Sequence, residues 1–191
     1  MAEKDTEEKD DSFAKKLLEI RTVMISGSVD SKMSDKVTTQ LLVLEKEDPK
    51  AEIKVFINSP GGEMHSGYAI YDMLNFVSCP ITTVVIGLAA SMGSVLSLAG
   101  DKKRKLALPN AKIMIHQPLL MGAEGQTTDL EIHSKQIIKS RQDLAELYAE
   151  VSGKTANQIL KDMDRDHWLT AEEAVKYGLI DKIISSRAEL K

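Results

Sequence analysis

The sequence predicts an α/β fold built on a largely parallel sheet. Short apolar segments of strand length alternate along the chain with segments whose apolar residues recur at helical spacing. One predicted strand, residues 81–86, is almost entirely apolar or β-branched, which is typical of a strand covered on both faces of a sheet. This repeated alternation favours parallel pairing, because a parallel strand is reached only through a crossover connection.

The predicted elements follow one another without a linker rich in proline, glycine or serine. Strands are predicted at residues 22–25, 52–58, 81–86, 105–108 and 112–115. Helices are predicted at residues 31–47, 64–77, 91–99 and 128–151. A further short helix is expected to begin at Thr170-Ala171-Glu172-Glu173, which resembles a capping box, and to end at Gly178.

The helix predicted at residues 128–151 is the longest. Its apolar residues recur every seven positions, at Leu130, Ile137, Leu144 and Val151. At about 1.5 Å per residue it measures more than roughly 30 Å, which would overhang a compact domain of this size. Two interpretations stay open: an amphipathic helix packed along the body, or a helix that projects from it to contact another subunit.

Composition and charge exclude several classes of protein. A length of 191 residues suits one domain, which we expect to span residues 13–191. The net charge of −4 provides no basic field to attract nucleic acid or an anionic membrane. No apolar stretch approaches the roughly 18 residues of a membrane span. We therefore expect neither nucleic acid nor a membrane among the partners.

The first twelve residues are acidic and almost without apolar side chains. They have neither the apolar core of a signal peptide nor the arginine-rich character of a transit peptide. We expect residues 1–12 to form a disordered tail, since they offer almost nothing to bury.

The single cysteine, Cys79, is predicted to be buried and suits a reducing compartment. The expected location is the cytoplasm.

Two junctions between a strand and a helix could carry chemistry. At the first, Ser59-Pro60-Gly61-Gly62 follows a strand, and paired glycines let the backbone approach a ligand closely. The segment is not a phosphate loop, because no Lys-Ser or Lys-Thr follows it. Taken alone, the segment is weak evidence for a ligand site, and a tight turn explains it better.

At the second junction, Gly87-Leu88-Ala89-Ala90-Ser91-Met92-Gly93 places a serine among small residues at the start of a helix. Such a turn can expose a hydroxyl nucleophile, although it lacks the Gly-x-Ser-x-Gly pattern of other hydrolases. Serine is also a common helix cap. Local chemistry leaves both interpretations of Ser91 open and favours the cap.

A serine nucleophile needs a base, which is usually a histidine. The candidates are His65, His116, His133 and His167. His116 is best placed, because it closes a predicted strand and Gln117-Pro118 then ends that strand. A structural role for this histidine stays possible, and the candidate acids are too numerous to rank. The histidines do not cluster and there is no Cys pair, so we expect no metal site and no cofactor.

Considered together, these motifs resemble the proteolytic subunits of the Clp protease family. The three that carry the resemblance are Ser59-Pro60-Gly61-Gly62, Gly87-Leu88-Ala89-Ala90-Ser91-Met92-Gly93 and Met114-Ile115-His116-Gln117-Pro118. Further similarity lies in Ala107-Leu108-Pro109-Asn110, Gly125-Gln126-Thr127-Thr128, Asp164-Arg165-Asp166 and Tyr177-Gly178-Leu179-Ile180-Asp181. The resemblance runs from about residue 23 to residue 184, in the family's order.

The resemblance implies a crotonase-like fold of repeated ββα units with a protruding handle at about residues 119–151. It implies that Ser91 is the nucleophile, His116 the general base and Asp166 the acid that orients the base. The oxyanion hole would be formed by the backbone N–H groups of Gly62 and Met92. Asp162 and Asp164 are rivals for the orienting acid. Asp166 is preferred because it precedes His167-Trp168-Leu169, where the family has a charged residue, an aromatic residue and leucine.

The resemblance also implies a particular assembly. Two heptameric rings would stack around a sealed chamber, with the handle helix and the segment Gly125-Gln126-Thr127-Thr128, as a strand, meeting the opposite ring. Asp164 and Arg165 match a pair that links the rings, and Gln126 is expected at the same contact. The chain contains no Walker motif, so a hexameric ATPase unfoldase is the expected partner for delivering unfolded polypeptides.

The sequence departs from the family's pattern in two places. An acidic tail replaces the short hydrophobic stretch with which the family usually begins, and residues 119–124 form a bulkier loop after His116-Gln117-Pro118. These departures indicate a divergent paralogue, and two alternatives to a subunit active alone stay open. One is a latent or regulatory subunit that needs a second, paralogous subunit type. The other is a crotonase-type acyl-CoA enzyme, against which the presence of both Ser91 and His116 argues.

Overall fold

The structure, a computed structural model, describes residues 13–119, 122 and 125–190. The acidic tail at residues 1–12 lies outside these residues, and so does part of the segment expected to begin the handle. The seven strands of the described chain are β1 (Thr22–Ser26), β2 (Ile53–Ser59), β3 (Ile81–Ala90), β4 (Lys105–Ala107), β5 (Lys112–Ile115), β6 (His167–Thr170) and β7 (Lys182–Ile183).

The helices account for most of the remaining chain. They are α1 (residues 13–19), α2 (Ser31–Glu47), α3 (Met64–Phe76), α4 (Met92–Ser97), α5 (Thr127–Ser152), α6 (Ala156–Asp162) and α7 (Ala171–Tyr177), followed by a 3₁₀ helix at Arg187–Glu189. The capping box predicted for α7 is confirmed: Thr170 and Glu173 satisfy each other's backbone N–H groups. Gly178 ends this helix in a left-handed conformation (φ 96°), as predicted.

The sheet is parallel except at one pair of strands. The order β1-β2-β3-β4-β7 is parallel throughout, and β5 pairs in parallel with the second half of β3. Only β6 runs antiparallel, against β5. The predicted α/β fold with largely parallel pairing is therefore confirmed. Since β3 pairs with β4 at residues 83–85 and with β5 at residues 88–90, its carboxyl end lies beside the end of β5.

The core lies between the sheet and the helices packed on it. Helix α2, capped by the Asp30 side chain, buries Val37, Leu41 and Leu44, and α3 contributes Ile70 and Leu74. Each fully buried apolar side chain of this size stabilises the fold by about 1.5–3 kcal/mol. Cys79 is buried, as predicted. Among the helices of the described residues, none combines the length and the apolar character that crossing a bilayer requires.

Helix α5 contacts the body only through its second half. Its buried residues are Leu144, Ala145 and Tyr148, and it packs mainly against α6. Residues 127–136 are exposed without exception, which amounts to about 15 Å of helix free of the body. The first half of α5 therefore projects from the body, as one of the two interpretations of the long helix predicts, and its contact with another subunit stays a prediction.

The prediction of a strand around Gly125-Gln126-Thr127-Thr128 is wrong, because the described chain is already helical within this segment. Helix α5 already begins at Thr127, with Gln126 as its cap. The physical reason is a reciprocal capping box: the Gln126 backbone N–H donates to the Asp129 carboxylate (3.2 Å), whose charge is also favourable at a helix N-terminus. These local interactions start the helix at Thr127, one residue before the start predicted from its apolar pattern.

Candidate active site

Ser91 occupies a strained turn between the carboxyl end of β3 and the start of α4. Its backbone lies at φ 52° and ψ −125°, a conformation that residues other than glycine rarely adopt. The side chain makes no capping hydrogen bond, so the helix-cap interpretation of this serine is wrong. The turn exposes the hydroxyl in the manner of a nucleophile elbow, with a different sequence around it.

The Ser91 hydroxyl points to a histidine and, through it, to a carboxylate. His116 Nε2 lies 2.9 Å from Ser91 Oγ, and His116 Nδ1 lies 3.1 Å from Asp166 Oδ1. The carboxylate can only accept, so Nδ1 carries the hydrogen and donates it to Asp166. Nε2 is then left as the acceptor for the Ser91 O–H. The three predicted residues thus form one hydrogen-bonded series of hydroxyl, imidazole and carboxylate, the arrangement that a nucleophile, its base and an orienting acid require.

Strand pairing places the histidine opposite the carboxylate. In the antiparallel pair of β5 and β6, Ile115 faces His167. One step further in the same register, His116 faces Asp166. Side chains directly opposite in an antiparallel pair have Cβ atoms about 4.5–5.5 Å apart and share one face. The only antiparallel pair of strands in the described sheet therefore aligns the base with its acid.

The rival acids are engaged elsewhere. Asp162 accepts hydrogen bonds from the Tyr177 hydroxyl (2.6 Å) and from Gln158 Nε2 (2.7 Å). Burial and this carboxylate raise the pKa of Tyr177, so its phenol remains a donor. The Asp164 carboxylate faces Arg141 of α5 at 3.6 Å. Among the three acids, only Asp166 contacts His116 in the structure.

The other histidines lie apart from the serine. His65 is exposed on α3, His133 is exposed on the projecting half of α5, and His167 packs against the Tyr177 ring. None of these three accompanies Ser91 in the cavity described below. Within residues 13–119, 122 and 125–190, no group of three or more His, Cys, Asp or Glu side chains is arranged to hold a metal ion.

The double-glycine loop lies directly against the serine turn. A Cβ atom on Gly61, which has φ 94°, would meet Ser91 Cβ at 2.6 Å and the Met92 nitrogen at 2.9 Å. Only glycine permits this approach of one backbone to the other. The loop thus brings the backbone of Gly62, the next residue, to the nucleophile.

Two backbone N–H groups near Ser91 are available as donors. In the isolated bridge between Val29 and Gly62, the N–H of Val29 donates to the Gly61 carbonyl and the N–H of Glu63 donates to the Val29 carbonyl. This pattern uses neither hydrogen-bonding group of Gly62. Met92 is the first residue of α4, where an N–H has no acceptor within the helix. Such a pair of donors can stabilise an oxyanion.

A cavity of about 680 Å³ opens beside Ser91 and His116. Its lining combines Ser91 and His116 with apolar side chains, among them Met64, Met92, Val95, Met114, Leu119 and Leu144. Of these apolar residues, the sequence had identified only Met92, for its backbone N–H, because nothing in the spacing of the others connects them to a site. A cavity of this size and character can hold an apolar side chain next to the reactive hydroxyl.

A buried hydrogen-bond relay supports the serine turn from below. Ser94 Oγ donates to the Ser91 carbonyl (2.7 Å) and therefore accepts from the hydroxyl of the fully buried Tyr148 of α5 (2.5 Å). Burial raises the pKa of Tyr148, which keeps the phenol protonated as a donor. Helix α5 is thereby connected to the backbone of the nucleophile turn.

We expect Tyr148→Phe to lower the free energy of unfolding by about 1–2 kcal/mol, because the Ser94 hydroxyl loses a buried partner. Denaturant unfolding monitored by Trp168 fluorescence measures this change. The matched control is Tyr68→Phe, which removes a hydroxyl from a half-buried tyrosine of α3. Equal stability of the Tyr148 and Tyr68 variants would contradict the relay.

The residues expected at a contact between rings lie on the surface. Gln126 is exposed at the start of α5, and Asp164 and Arg165 are exposed before β6. In the single chain, Asp164 pairs with Arg141. Their exposure leaves them accessible to another subunit, and a role between rings stays a prediction.

Comparison with known proteins identifies the family. The sequence matches the Clp protease family over residues 4–187. The ATP-dependent Clp protease proteolytic subunit 1 of Protochlamydia amoebophila is 47% identical over 176 residues, which are 92% of this chain and 85% of that protein. The ATP-dependent Clp protease proteolytic subunit of Ligilactobacillus salivarius is 46% identical, over 92% of this chain and 89% of that protein. The ATP-dependent Clp protease proteolytic subunit of Deinococcus radiodurans is 42% identical, over 91% of this chain and 85% of that protein. The protein therefore belongs to the Clp protease family and is a serine peptidase of the Clp system.

Proposed function

We propose that the chain is a serine endopeptidase subunit that cleaves unfolded polypeptides with Ser91 as its nucleophile. The observation that carries this proposal is the continuous series from Ser91 Oγ through His116 to the Asp166 carboxylate, at 2.9 and 3.1 Å. It lies at the edge of a mainly apolar cavity, as a peptidase site requires. His116 acts as general base, and Asp166 holds its tautomer and orientation.

In the first half of the reaction, Ser91 Oγ attacks the carbonyl carbon of the scissile peptide bond and its proton passes to His116 Nε2. The tetrahedral oxyanion is stabilised by the N–H groups of Gly62 and Met92. The loss of one such donor commonly costs about 3–4 kcal/mol of transition-state stabilisation. His116 then donates the proton to the leaving amine, the C–N bond breaks, and the acyl group remains on Ser91.

In the second half, a water molecule attacks the acyl carbonyl and gives its proton to His116 Nε2. The same two N–H groups stabilise the second oxyanion. The ester bond to Ser91 breaks, His116 returns the proton to Ser91 Oγ, and the new carboxyl terminus leaves. The chemistry needs no group from outside the chain other than water.

Hydrolysis of a short unstructured fluorogenic peptide by the purified chain, without nucleotide, tests this function. We expect turnover that depends on Ser91. The acyl-CoA alternative shares a two-donor oxyanion hole but has no use for an aligned serine and histidine. Binding of coenzyme A together with an absence of peptide hydrolysis, in the chain alone and mixed with a paralogous subunit, would overturn the proposal in its favour.

We further propose that the subunit works inside two stacked heptameric rings. The support is a surface that a lone subunit leaves uncovered: the projecting half of α5 exposes Leu130, Ile132 and Ile138, and the body exposes Phe76. Exposed apolar residues grouped on one element are typical of a protein interface. In this assembly, Gln126, Asp164 and Arg165 contact the opposite ring.

Ile132→Asp is expected to split the double ring, because it buries an unpaired carboxylate at the contact between rings. The native mass should fall to about that of a single ring, and peptide hydrolysis should fall with it. The matched control is Val43→Asp, which introduces the same charge at an exposed apolar residue of α2, outside α5, and should leave the double ring intact. Mass spectrometry under native conditions measures both variants, and an intact double ring for Ile132→Asp would contradict the assembly.

Degradation of folded substrates would then depend on a hexameric ATPase unfoldase, in the cytoplasm. This proposal rests on family membership and on the curated relatives, whose names describe ATP-dependent proteases.

The acidic residues 1–12 raise the alternative of a mixed assembly with a paralogous subunit. Measuring the mass and the activity of the chain, alone and in mixtures, tests this alternative. Active double rings formed by this chain alone would contradict the latent-subunit alternative.

A further inference from the structure

The segment that carries Asp166 is not held by burial of that residue. Asp166 lies between the end of α6 and the start of β6, and its side chain is 60% exposed. The residues before it, Asp164 and Arg165, are exposed as well. An exposed segment without a packed side chain at the acid must be positioned by hydrogen bonds if the distance to His116 is to stay constant.

Gln117, the residue after the histidine, supplies these hydrogen bonds. Its backbone N–H donates to the Met163 carbonyl at 2.7 Å. Its side-chain Nε2 donates to the Asp164 carbonyl at 2.8 Å. Both hydrogen bonds have the length of a well-formed bond, and both have their acceptor on the segment that leads into Asp166. Arg141 reaches the same region from α5, but at 3.5 Å from the Leu160 carbonyl and 3.6 Å from the Asp164 carboxylate.

The two hydrogen bonds complete a frame around the histidine and its acid. On one side of the pair, Ile115 faces His167 in the ladder of β5 and β6. On the other side, Gln117 binds the carbonyls of Met163 and Asp164. His116 thus lies between Ile115 and Gln117, which both bind the facing segment. On that segment, Asp166 lies between the residues that they bind, His167 on one side and Met163 and Asp164 on the other. Without the Gln117 amide, no short hydrogen bond from the described chain reaches Asp164: this side of the frame keeps the backbone bond to the buried Met163 and the longer contact from Arg141.

We propose that Gln117 is a positioning residue for the catalytic reaction: its side-chain amide holds the segment before Asp166 so that the carboxylate stays on His116 Nδ1. The inference rests on the proposed function, since it assumes that Asp166 orients the base. Gln117 also borders the cavity beside Ser91. A direct contact with substrate is therefore the competing role, and the two roles have different kinetic signatures.

Gln117→Met removes the amide donor but keeps the chain length, the backbone N–H and the approximate volume. We expect kcat to fall about tenfold to a hundredfold, as misplacement of a catalytic group by up to about 1 Å does, with KM nearly unchanged. The matched control is Gln158→Met. It makes the same change in α6 and removes a hydrogen bond to Asp162, outside the catalytic series, so kcat should stay at the unmodified value.

A double-mutant cycle with Asp166→Asn separates positioning from a general structural role. If Gln117 acts through Asp166, adding Gln117→Met to Asp166→Asn lowers kcat no further. The result that would overturn the inference is a loss of the same factor in both backgrounds, or an effect confined to KM. Native mass and thermal unfolding verify that each variant is folded and assembled, and Gln117→Ala serves as a second variant if the methionine does not pack.

Failure of the Gln117 inference and failure of the proposed function give different results. Peptide hydrolysis that depends on Ser91 but is unaffected by Gln117→Met and Gln117→Ala would overturn this inference alone. Hydrolysis that survives Ser91→Ala would overturn the proposed function first.

Discussion

Ser91→Ala is expected to abolish peptide hydrolysis, with a fall in kcat on the order of a millionfold. The reason is that no other hydroxyl in the described chain is aligned with His116, which lies 2.9 Å from Ser91 Oγ. Removing Oγ leaves the cavity, the two N–H donors and the base in place. Substrate binding should therefore persist while the acyl-enzyme cannot form. Steady-state hydrolysis of a fluorogenic peptide, combined with binding of the same peptide to the variant, measures both effects.

The matched control for this variant is Ser28→Ala, which removes another serine hydroxyl from the lining of the same cavity. We expect its kcat to remain close to that of the unmodified chain, because Ser28 contacts neither His116 nor Asp166. If kcat fell by a similar factor in Ser91→Ala and Ser28→Ala, the loss would come from a disturbed cavity and not from the missing Ser91 hydroxyl.

Asp166→Asn is expected to lower kcat by about ten-thousandfold. The amide keeps the size of the side chain, but it can present an N–H to His116 Nδ1 and so favour the tautomer that places the hydrogen on Nε2. In that tautomer, Nε2 cannot accept the Ser91 proton. The stabilisation of the imidazolium by the carboxylate is lost as well. Comparing kcat for the two chains at a fixed pH measures the effect.

The rival acids are the controls for this prediction. Asp162→Asn and Asp164→Asn make the same chemical change at carboxylates that face Tyr177 and Arg141 rather than His116. We expect each to lower kcat far less than Asp166→Asn does, if the assembly stays intact. A ranking in which either rival variant loses more activity than Asp166→Asn would show that the acid is assigned incorrectly.

The elements of the fold were largely predictable because their signals are local. The strand–helix alternation, the amphipathic pattern of α2 and the capping box at Thr170 depend on residues near one another in the chain. The pattern did not predict the short elements β6, β7, α1 and α6, and the position of β6 is fixed by pairing with β5. The resemblance predicted a strand at residues 125–128, whereas the local capping of Gln126 by Asp129 starts helix α5 there.

The site was predictable in its residues but not in its physical basis. From its neighbours, Ser91 could not be distinguished from a helix cap, because its backbone conformation depends on the packing of Gly61 against it. The residues alone did not rank Asp166 above the nearby acids; the family resemblance favoured it, and strand pairing places it opposite His116. The apolar lining of the cavity comes from residues as distant in the chain as Met64 and Leu144, so no sequence pattern connects them.

The central claim is that Ser91 is a nucleophile activated by His116. Its most direct test is reaction of the assembled chain with a fluorophosphonate, followed by peptide mapping of the adduct by mass spectrometry. We expect a single stoichiometric adduct on Ser91, formed much more slowly in His116→Ala. An adduct on another residue, or labelling that is equal in the unmodified chain and in Ser91→Ala, would contradict the claim.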